Sequence, residues 1–150
     1  MEKKNYKLYH GETLMPWGKG CVVKGAKGFA FVAGCEGQDP TQNMFKGGKI
    51  VSGPDAQMRL ALQKMKARLE EMGTSMENIV HMTVYIVGPF PDGVAYSPNY
   101  RRDILHQFFK ENCPALAFDK NPPPFDLVGV AGLAHKDMVV EVGCVAALPD

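Results

Sequence analysis

The chain has 150 residues, with 17 basic and 16 acidic side chains and a net charge of +1 at pH 7. This length fits one domain over residues 1–150, and the balanced charge gives no reason to expect nucleic acid or a membrane surface as a partner. No apolar run approaches the roughly 18 residues of a membrane span. Four cysteines without C-x-x-C spacing, and a first segment without the apolar part of a signal peptide, indicate a cytoplasmic protein with reduced thiols.

The N-terminal third is predicted to hold two short strands. Residues 1–20 are polar and glycine-rich without a sustained period, which indicates a lead-in segment. The apolar runs at residues 21–24 and 29–33 are joined by residues 25–28, and this pattern predicts a β-hairpin. Residues 35–51 contain several turn-forming residues, so we expect a long surface loop there.

A first helix is predicted from a stripe of apolar residues. The members of the stripe recur at spacings of three and four, the period of an amphipathic helix. Ser52 is placed as the N-cap, with Asp55 near the free amides of the first turn, and Gly73 ends the helix. We expect the stripe to face the core. Its members are Met58, Leu62, Met65, Leu69 and Met72.

A third strand and a second helix follow. Residues 79–87 are rich in β-branched side chains and predict a strand. His81 interrupts this strand, and because no second histidine lies at metal-binding spacing, we interpret it as a structural residue. Residues 88–98 are predicted to form a proline-containing loop. The second helix is expected from about residue 99 to residue 111. Its apolar side consists of Tyr100, Ile104, Leu105, Phe108 and Phe109.

Two further strands close the chain. Residues 112–126 contain three consecutive prolines, which lack the amide donors that a central strand needs. Strands are predicted at residues 127–131 and 138–146, joined by a turn at residues 134–137. The order β-β-α-β-α-β-β gives an α+β fold with two helices on one face of a mixed sheet. We expect another copy of the chain to cover the other face.

The last strand contains a carboxylate, Glu141, among the β-branched Val139, Val140 and Val142. An unpaired buried carboxylate is costly, so this position needs an explanation. Glu141 either lies on a solvated face, since side chains alternate along a strand, or lies in a cleft where burial adjusts its pKa for proton transfer. The local pattern leaves both interpretations open.

Several enzyme classes lose support because their motifs are absent. The sequence has no Walker loop, no dinucleotide-binding fingerprint, no nucleophile elbow and no H-E-x-x-H. Nucleotide hydrolysis, hydride transfer and zinc-dependent hydrolysis are therefore not indicated. We expect neither a cofactor nor a metal ion.

Several residue strings recur in an order and spacing that are more specific than any one of them. They are residues 31–34 followed by 39–40, residues 56–62 with Leu69 and Gly73, residues 78–86, residues 108–109, residues 128–133 and residues 140–142. From about residue 16 to residue 147 the chain resembles the Rid/YjgF family, also called the reactive-intermediate imine deaminase or L-PSP endoribonuclease family.

This resemblance implies a homotrimer of α+β subunits in a chorismate-mutase-like arrangement, with small-molecule clefts between the subunits. Typical family enzymes hydrolyse enamines and imines, such as 2-aminoacrylate, to keto acids and ammonia. In them, the arginine of a Pro-Ala-Arg motif binds the substrate carboxylate, a strand glutamate orients the water, and an N-terminal aromatic residue closes the site. Bidentate arginine suits a carboxylate, and a glutamate can deprotonate water.

Carried over to this chain, the glutamate of the family falls on Glu141 and the aromatic residue on Trp17. Gly34 and Cys35 follow the second predicted strand, where the resemblance places them near the cleft. The arginine is replaced by an apolar residue, since the motif falls on Phe125 when counted back from residue 128, or on Leu116 when counted forward from residue 109. We include all six positions in the candidate site.

A cation from elsewhere could replace the missing arginine. Arg102 on the second helix is one candidate, and Lys120 in the following loop is another, although both positions also fit solvated surface charges. Cys35 is a candidate nucleophile, but the sequence shows no activating partner, so an inert thiol remains the alternative.

Three functions follow from the resemblance. The first is a Rid-like hydrolase or deaminase acting on an enamine, imine or related metabolite, with altered specificity because the arginine is replaced. The second is a non-catalytic trimer that binds a metabolite or regulates a partner. The third, an endoribonuclease or translation inhibitor, is the least supported because the chain is nearly neutral and lacks a basic aromatic stripe.

Overall fold

The protein folds as an α+β domain, as predicted. Its computed structural model describes residues 1–42, 46–88 and 99–149, and for residues 99–102 it describes the backbone only. Short 3-10 turns precede β4 and follow α2. The helices and strands in chain order are β1 (Glu2–His10), β2 (Thr13–Lys24), β3 (Gly28–Glu36), α1 (Pro54–Glu71), β4 (Ile79–Val87), α2 (Asn99–Asn112), β5 (Phe125–Val130) and β6 (Val140–Leu148).

The main sheet has four strands in the order β3-β6-β4-β5. Strand β6 is antiparallel to both β3 and β4, whereas β5 is parallel to β4, so the sheet is mixed. The described residues of β1 and β2 form a separate two-stranded antiparallel ribbon. β6 is therefore a central strand, and Glu141 lies between strands on both sides.

Both helices lie on the same face of this sheet, and the core fills the space between them. Side chains alternate along each strand, so Val140 and Val142 of β6 are fully buried while Glu141 between them points to the opposite face. The opposite face is not covered by any helix of the described chain. The largest fully buried side chains are Phe109, Met58, Leu62, Met65, Leu69, Ile79, Met82 and Ile86.

The first helix confirms most of its predicted stripe. Met58, Leu62, Met65 and Leu69 are buried, whereas Met72 follows the helix and is exposed. Ser52 as the N-cap is wrong, because the N-cap residue is Gly53 and no side chain caps this terminus. Gly53 has φ of 89°, a conformation that favours glycine, and Pro54 at the first position needs no hydrogen-bond acceptor for its nitrogen.

The prediction for the N-terminus was wrong in two respects. Residues 1–20 are not a lead-in segment, since β1 and most of β2 lie there. The predicted β2–β3 hairpin is absent: β2 pairs with β1 from Lys24 back to Thr13, and β3 pairs with β6. The long register with β1 already satisfies one edge of β2. Residues near Gly18 lie beside Pro124 at the far side of the sheet from β3, as a parallel bridge between them shows.

The remaining predicted elements fall close to their observed bounds. α2 begins and ends where expected, and β5 and β6 are displaced from the predicted strands by no more than two residues. In the predicted loop over residues 35–51, β3 extends to Glu36 and Gln38 bridges to Ile50. Residues 43–45 of that loop, and the predicted loop over 88–98 apart from Gly88, lie outside the described residues.

Candidate functional site

An open depression lies on the sheet face that the helices leave uncovered. Its volume is about 440 Å³, within the usual range for small-molecule pockets. Strands β3, β4 and β6 supply its lining, so the site is built on regular structure and not on loops. The lining residues are Phe31, Val32, Ala33, Gly34, His81, Thr83, Tyr85, Glu141, Gly143, Cys144 and Val145.

Glu141 is the only acidic side chain among the described residues that line this depression. In the strand register it lies opposite Tyr85 of β4 on one side and Glu36 of β3 on the other. Partial burial, and secondly the nearby Glu36 carboxylate, raise the pKa of Glu141 above its ordinary value. The structure combines the two interpretations that the sequence left open: Glu141 lies on the face that strand alternation turns away from the core, and on that face it is partly buried in the depression.

Gly34 makes room for the Glu141 side chain. A Cβ atom at Gly34 would overlap Glu141 Oε1 and lie 2.5 Å from its Cδ, so any larger residue must displace the carboxylate. The register of β3 against β6 shifts between Val32 and Cys35, and Gly34 falls within this irregularity. The irregularity therefore brings the backbone of β3 close to the carboxylate.

Glu36 is itself held by α1. Its Oε1 lies 3.0 Å from Lys64 Nζ, and both side chains are mostly buried. This ion pair holds the negative charge of Glu36 beside Glu141, while the positive charge of Lys64 comes from α1. The Glu141 carboxylate has no ion pair with any residue of the described part of the chain.

The predicted site residue Cys35 faces the core and does not line the depression. Its side chain is fully buried, and burial raises the pKa of its thiol despite the neighbouring Arg68 guanidinium. Arg68 Nη1 donates hydrogen bonds to the carbonyl oxygens of Ala33 and Gly34, each at 3.1 Å, and lies 3.2 Å from Cys35 Sγ. Arg68 thus stabilises β3 at the register irregularity around Gly34. The Cys35 thiol is neutral because its pKa is raised, and a neutral thiol is a poor nucleophile.

Trp17, Phe125 and Leu116 lie away from Glu141 within the chain. Phe125 is in register with the buried Met82, so it faces the helix side of the sheet. The rings of Trp17 and Phe125 make an edge contact with centroids 6.4 Å apart, and Leu116 is 2% exposed in the core. A single chain therefore brings Gly34 and Glu141 together but not the apolar positions that the resemblance assigned to the cleft.

Of the two candidate cations, the structure describes the side chain of Lys120 only. The side chain of Arg102 lies outside the described residues, although its backbone belongs to α2. Lys120 is exposed after the 3-10 turn Pro114–Leu116 and is not among the lining residues.

His81 is a lining residue whose position sequence reasoning missed. Its Nε2 lies 3.2 Å from Asp126 Oδ2, and its side chain is 42% exposed on the same face as Glu141. His81 and Thr83 share this face with Tyr85 because they occupy alternate positions of β4. The alternation of His81 with Met82 and Val84 was the sequence signal that could have placed His81 on the face opposite the core.

Gln57 is a second residue whose role the sequence did not reveal. It is 3% exposed on α1, and its side-chain nitrogen donates to the carbonyl oxygens of Val51 at 3.2 Å and Asp137 at 2.9 Å. Its oxygen accepts a hydrogen bond from the Val139 amide at 2.9 Å. Gln57 therefore fixes the entry into β6, two residues before Glu141.

Neither a metal site nor a membrane span is found in the described structure. Within residues 1–42, 46–88 and 99–149, no group of three His, Cys, Asp or Glu side chains is placed to hold a metal ion. None of the helices described there is long and apolar enough to cross a membrane.

A mixed sheet with two helices on one face and a carboxylate in a depression on the other defines an α+β domain with the YjgF fold. The sequence matches the model of the family described as Endoribonuclease L-PSP over residues 13–148. This match spans most of the chain, and the chain belongs to that family.

Similar proteins agree with this assignment. A RutC family protein of Synechocystis sp. is 33% identical over 125 residues, which are 83% of this chain and 82% of that protein. The crystal structure of TdcF from E. coli with bound serine is 27% identical, with 89% of each chain covered and a TM-score of 0.61. The Rid family protein YyfB of Yersinia pestis, at 18% identity, shares the fold with a TM-score of 0.69 over 99% of this chain and 100% of that one.

Proposed function

We propose that the protein hydrolyses a small imine or enamine metabolite in the depression, with Glu141 as the base that activates water. The observation that carries this proposal is the position of Glu141: a partly buried carboxylate with a raised pKa, in an open pocket, with Gly34 leaving room beside it. A carboxylate with a pKa nearer to neutrality can both accept and return a proton. The serine bound to the relative TdcF supports a ligand of metabolite size.

The reaction converts one imine and one water into one carbonyl compound and one ammonia. Glu141 takes a proton from water as its oxygen bonds to the imine carbon, and the same carboxyl group then gives that proton to the nitrogen. The hydroxyl proton then passes through Glu141 to the amino group, the carbon–nitrogen bond breaks with ammonia as the leaving group, and the hydroxyl oxygen becomes the carbonyl oxygen. Tyr85 lies beside Glu141 in the register and is placed to hydrogen-bond the substrate.

The active unit in this proposal is a homotrimer in the cytoplasm. The face that carries the depression also exposes Phe29 and Phe31, the latter at 73%, and this apolar surface suits contact with another copy. A second copy on that face would close one side of the depression. Its own Trp17 and Phe125, which lie away from Glu141 within one chain, would then be able to line the site. The free thiols of Cys21, Cys35, Cys113 and Cys144 fit a reducing compartment.

The test compares Glu141→Gln with Glu71→Gln, a control at an exposed position at the end of α1. Imines would be generated in situ by oxidation of a panel of amino acids and of plain amines, and ammonia release would be followed with and without protein. We expect Glu141→Gln to lower turnover by about 10²–10⁴-fold, the usual contribution of a general base, while Glu71→Gln keeps full activity.

Equal turnover by the Glu141→Gln protein and the native chain would exclude Glu141 as the base. Saturable ligand binding without any product from the panel would instead favour the non-catalytic trimer. Sedimentation of each variant, run beside the assay, keeps loss of assembly separate from loss of chemistry.

A further inference from the structure

We propose that the depression binds small organic cations, such as a protonated amine or a protonated imine, in preference to carboxylate anions. This proposal rests on the site of the proposed function and names the ligand class of that site. Its basis is the charge of the lining together with the aromatic surfaces beside Glu141. A carboxylate clamp, by contrast, would need a fixed cation in the lining.

The charges in and around the depression are mostly negative. Among the described residues of the lining, Glu141 is the acid and His81 the only basic side chain, with no lysine or arginine. Two further carboxylates adjoin it, since Glu36 is opposite Glu141 in the register and Asp126 lies 3.2 Å from His81. An anion entering this site would approach Glu141 without a fixed cation to balance it.

Two cations of α1 lie beside β3, and both already have partners. Lys64 Nζ lies 3.0 Å from Glu36, and Arg68 Nη1 donates to the carbonyl oxygens of Ala33 and Gly34. Both side chains come from α1, which covers the core face. Neither is in the lining, so neither is placed to meet a ligand carboxylate.

The aromatic residues of the lining suit a cation as well. Phe31 is exposed on β3, and Tyr85 is the cross-strand neighbour of Glu141 on β4. A cation over an aromatic face is attracted by the negative face of the ring, and the attraction is stronger when water is excluded. An ammonium group can therefore meet Glu141 while the rest of the ligand lies on Phe31 or Tyr85.

Ligand binding should also be linked to the protonation of Glu141. The groups that face Glu141 are Glu36 from β3 and Tyr85 from β4, and burial and Glu36 together raise its pKa. A bound cation stabilises the ionised carboxylate, so affinity for a cation rises as the pH rises through the pKa of Glu141. Affinity for an anion changes in the opposite direction.

The experiment uses benzylamine and benzoate, two probes of similar size and opposite charge. Their binding to the full chain would be measured by NMR titration between pH 4 and pH 8, with assignments for Phe31, Tyr85 and Glu141. We expect saturable chemical-shift changes at these residues, and at pH 7 the protein should bind benzylamine at least tenfold more tightly than benzoate. Glu141→Gln should lower the affinity for benzylamine at least tenfold. The control Glu71→Gln should leave this affinity unchanged.

Tighter binding of benzoate, or benzylamine affinity that is the same in Glu141→Gln, would overturn the proposal. Benzoate preference in the assembled protein would show that a cation from another copy reaches the depression. These outcomes differ from failure of the hydrolase proposal: benzylamine can bind at Glu141 in a protein that turns over no imine. Turnover of imino acids only, with benzoate preferred, would retain the hydrolase and remove the cation site.

Discussion

The two faces of the main sheet differ in what they contact, and this difference separates the core from the candidate site. On the helix side, Val140, Val142 and Met82 are fully buried with Phe109 and the stripe of α1 without Met72. On the other side, Glu141, His81 and Phe31 occupy the intervening positions and line an open depression. Strand alternation places Val140, Val142 and Met82 on one side of β4 and β6, and Glu141 and His81 on the other side of the same two strands.

The largest expected effect comes from comparing one Phe→Ala substitution on each face of the sheet. Phe109→Ala removes a fully buried ring and should cost about 3–5 kcal/mol of the free energy of unfolding. Phe31→Ala removes an exposed ring and should cost well under ~1 kcal/mol in the free energy of unfolding of a monomer. Urea denaturation at two protein concentrations measures both.

A large cost of Phe31→Ala that depends on protein concentration would mean that another copy covers this ring. A large cost independent of concentration would contradict the open face.

A smaller effect is expected at the join between α1 and β6. Gln57→Ala removes the side chain that bonds Val51, Asp137 and Val139, and it leaves those backbone groups without their partner. We expect a loss of about 2–3 kcal/mol in the free energy of unfolding. Gln63→Ala on the exposed side of the same helix is the matched control and should change it little. Similar losses in the two variants would argue against the anchoring role of Gln57.

Gly34→Ala tests the open face with little change in the core. The new Cβ would overlap the Glu141 carboxylate, so this side chain must turn away from its present position. Turnover should fall at least tenfold, because a misplaced base no longer reaches its water. Gly132→Ala, where a Cβ meets no atom within 4 Å, is the control. The prediction is wrong when both variants are equally active.

The smallest effect concerns the pH dependence of stability. The pKa of Glu141 lies above the ordinary 4.5 because of burial and Glu36, so the folded chain binds its proton more tightly than the unfolded chain. Its ionisation therefore lowers stability as the pH rises above about 4.5. Glu141→Gln should raise the Tm at pH 7, and this gain should vanish as the pH falls to about 4.

The charged neighbours of Glu141 give the matching controls. Glu36→Gln removes the like charge and should lower the pKa of Glu141, whereas Lys64→Met leaves Glu36 without its cation and should raise it. Carboxyl ¹³C NMR would follow both. Shifts of the same sign in the two variants would exclude this electrostatic coupling.

Elements with one buried and one exposed side could be predicted from the sequence. The stripe of α1 and the alternation of β4 and β6 repeat the helix and strand periods, and these elements appear close to their predicted positions. β1 was missed because Lys3, Lys4 and Lys7 interrupt any apolar pattern in this strand. The hairpin error has a similar cause: the partner of β2 lies in this polar segment.

The site was only partly predictable for a different reason. Glu141 and Gly34 meet because β3 and β6 are neighbours with a shifted register. The family resemblance placed both residues at the cleft but gave no strand pairing. Cys35 follows Gly34 in the chain, but the irregular turn directs its side chain into the core. His81 and Asp126 come from separate strands, and their pairing depends on the parallel register of β4 with β5. No local pattern encodes such a register.

The position of the β1–β2 ribbon away from β3 has a consequence for colloidal behaviour. β3 is an edge of the four-stranded sheet in the described structure, and its outer backbone amides and carbonyls have no neighbouring strand. It also presents Phe29 and Phe31, without a charged side chain between Gly28 and Cys35. Such an edge is a template for strand addition. Phe31→Lys would place a charge on this edge strand, and such a charge opposes strand addition at high concentration.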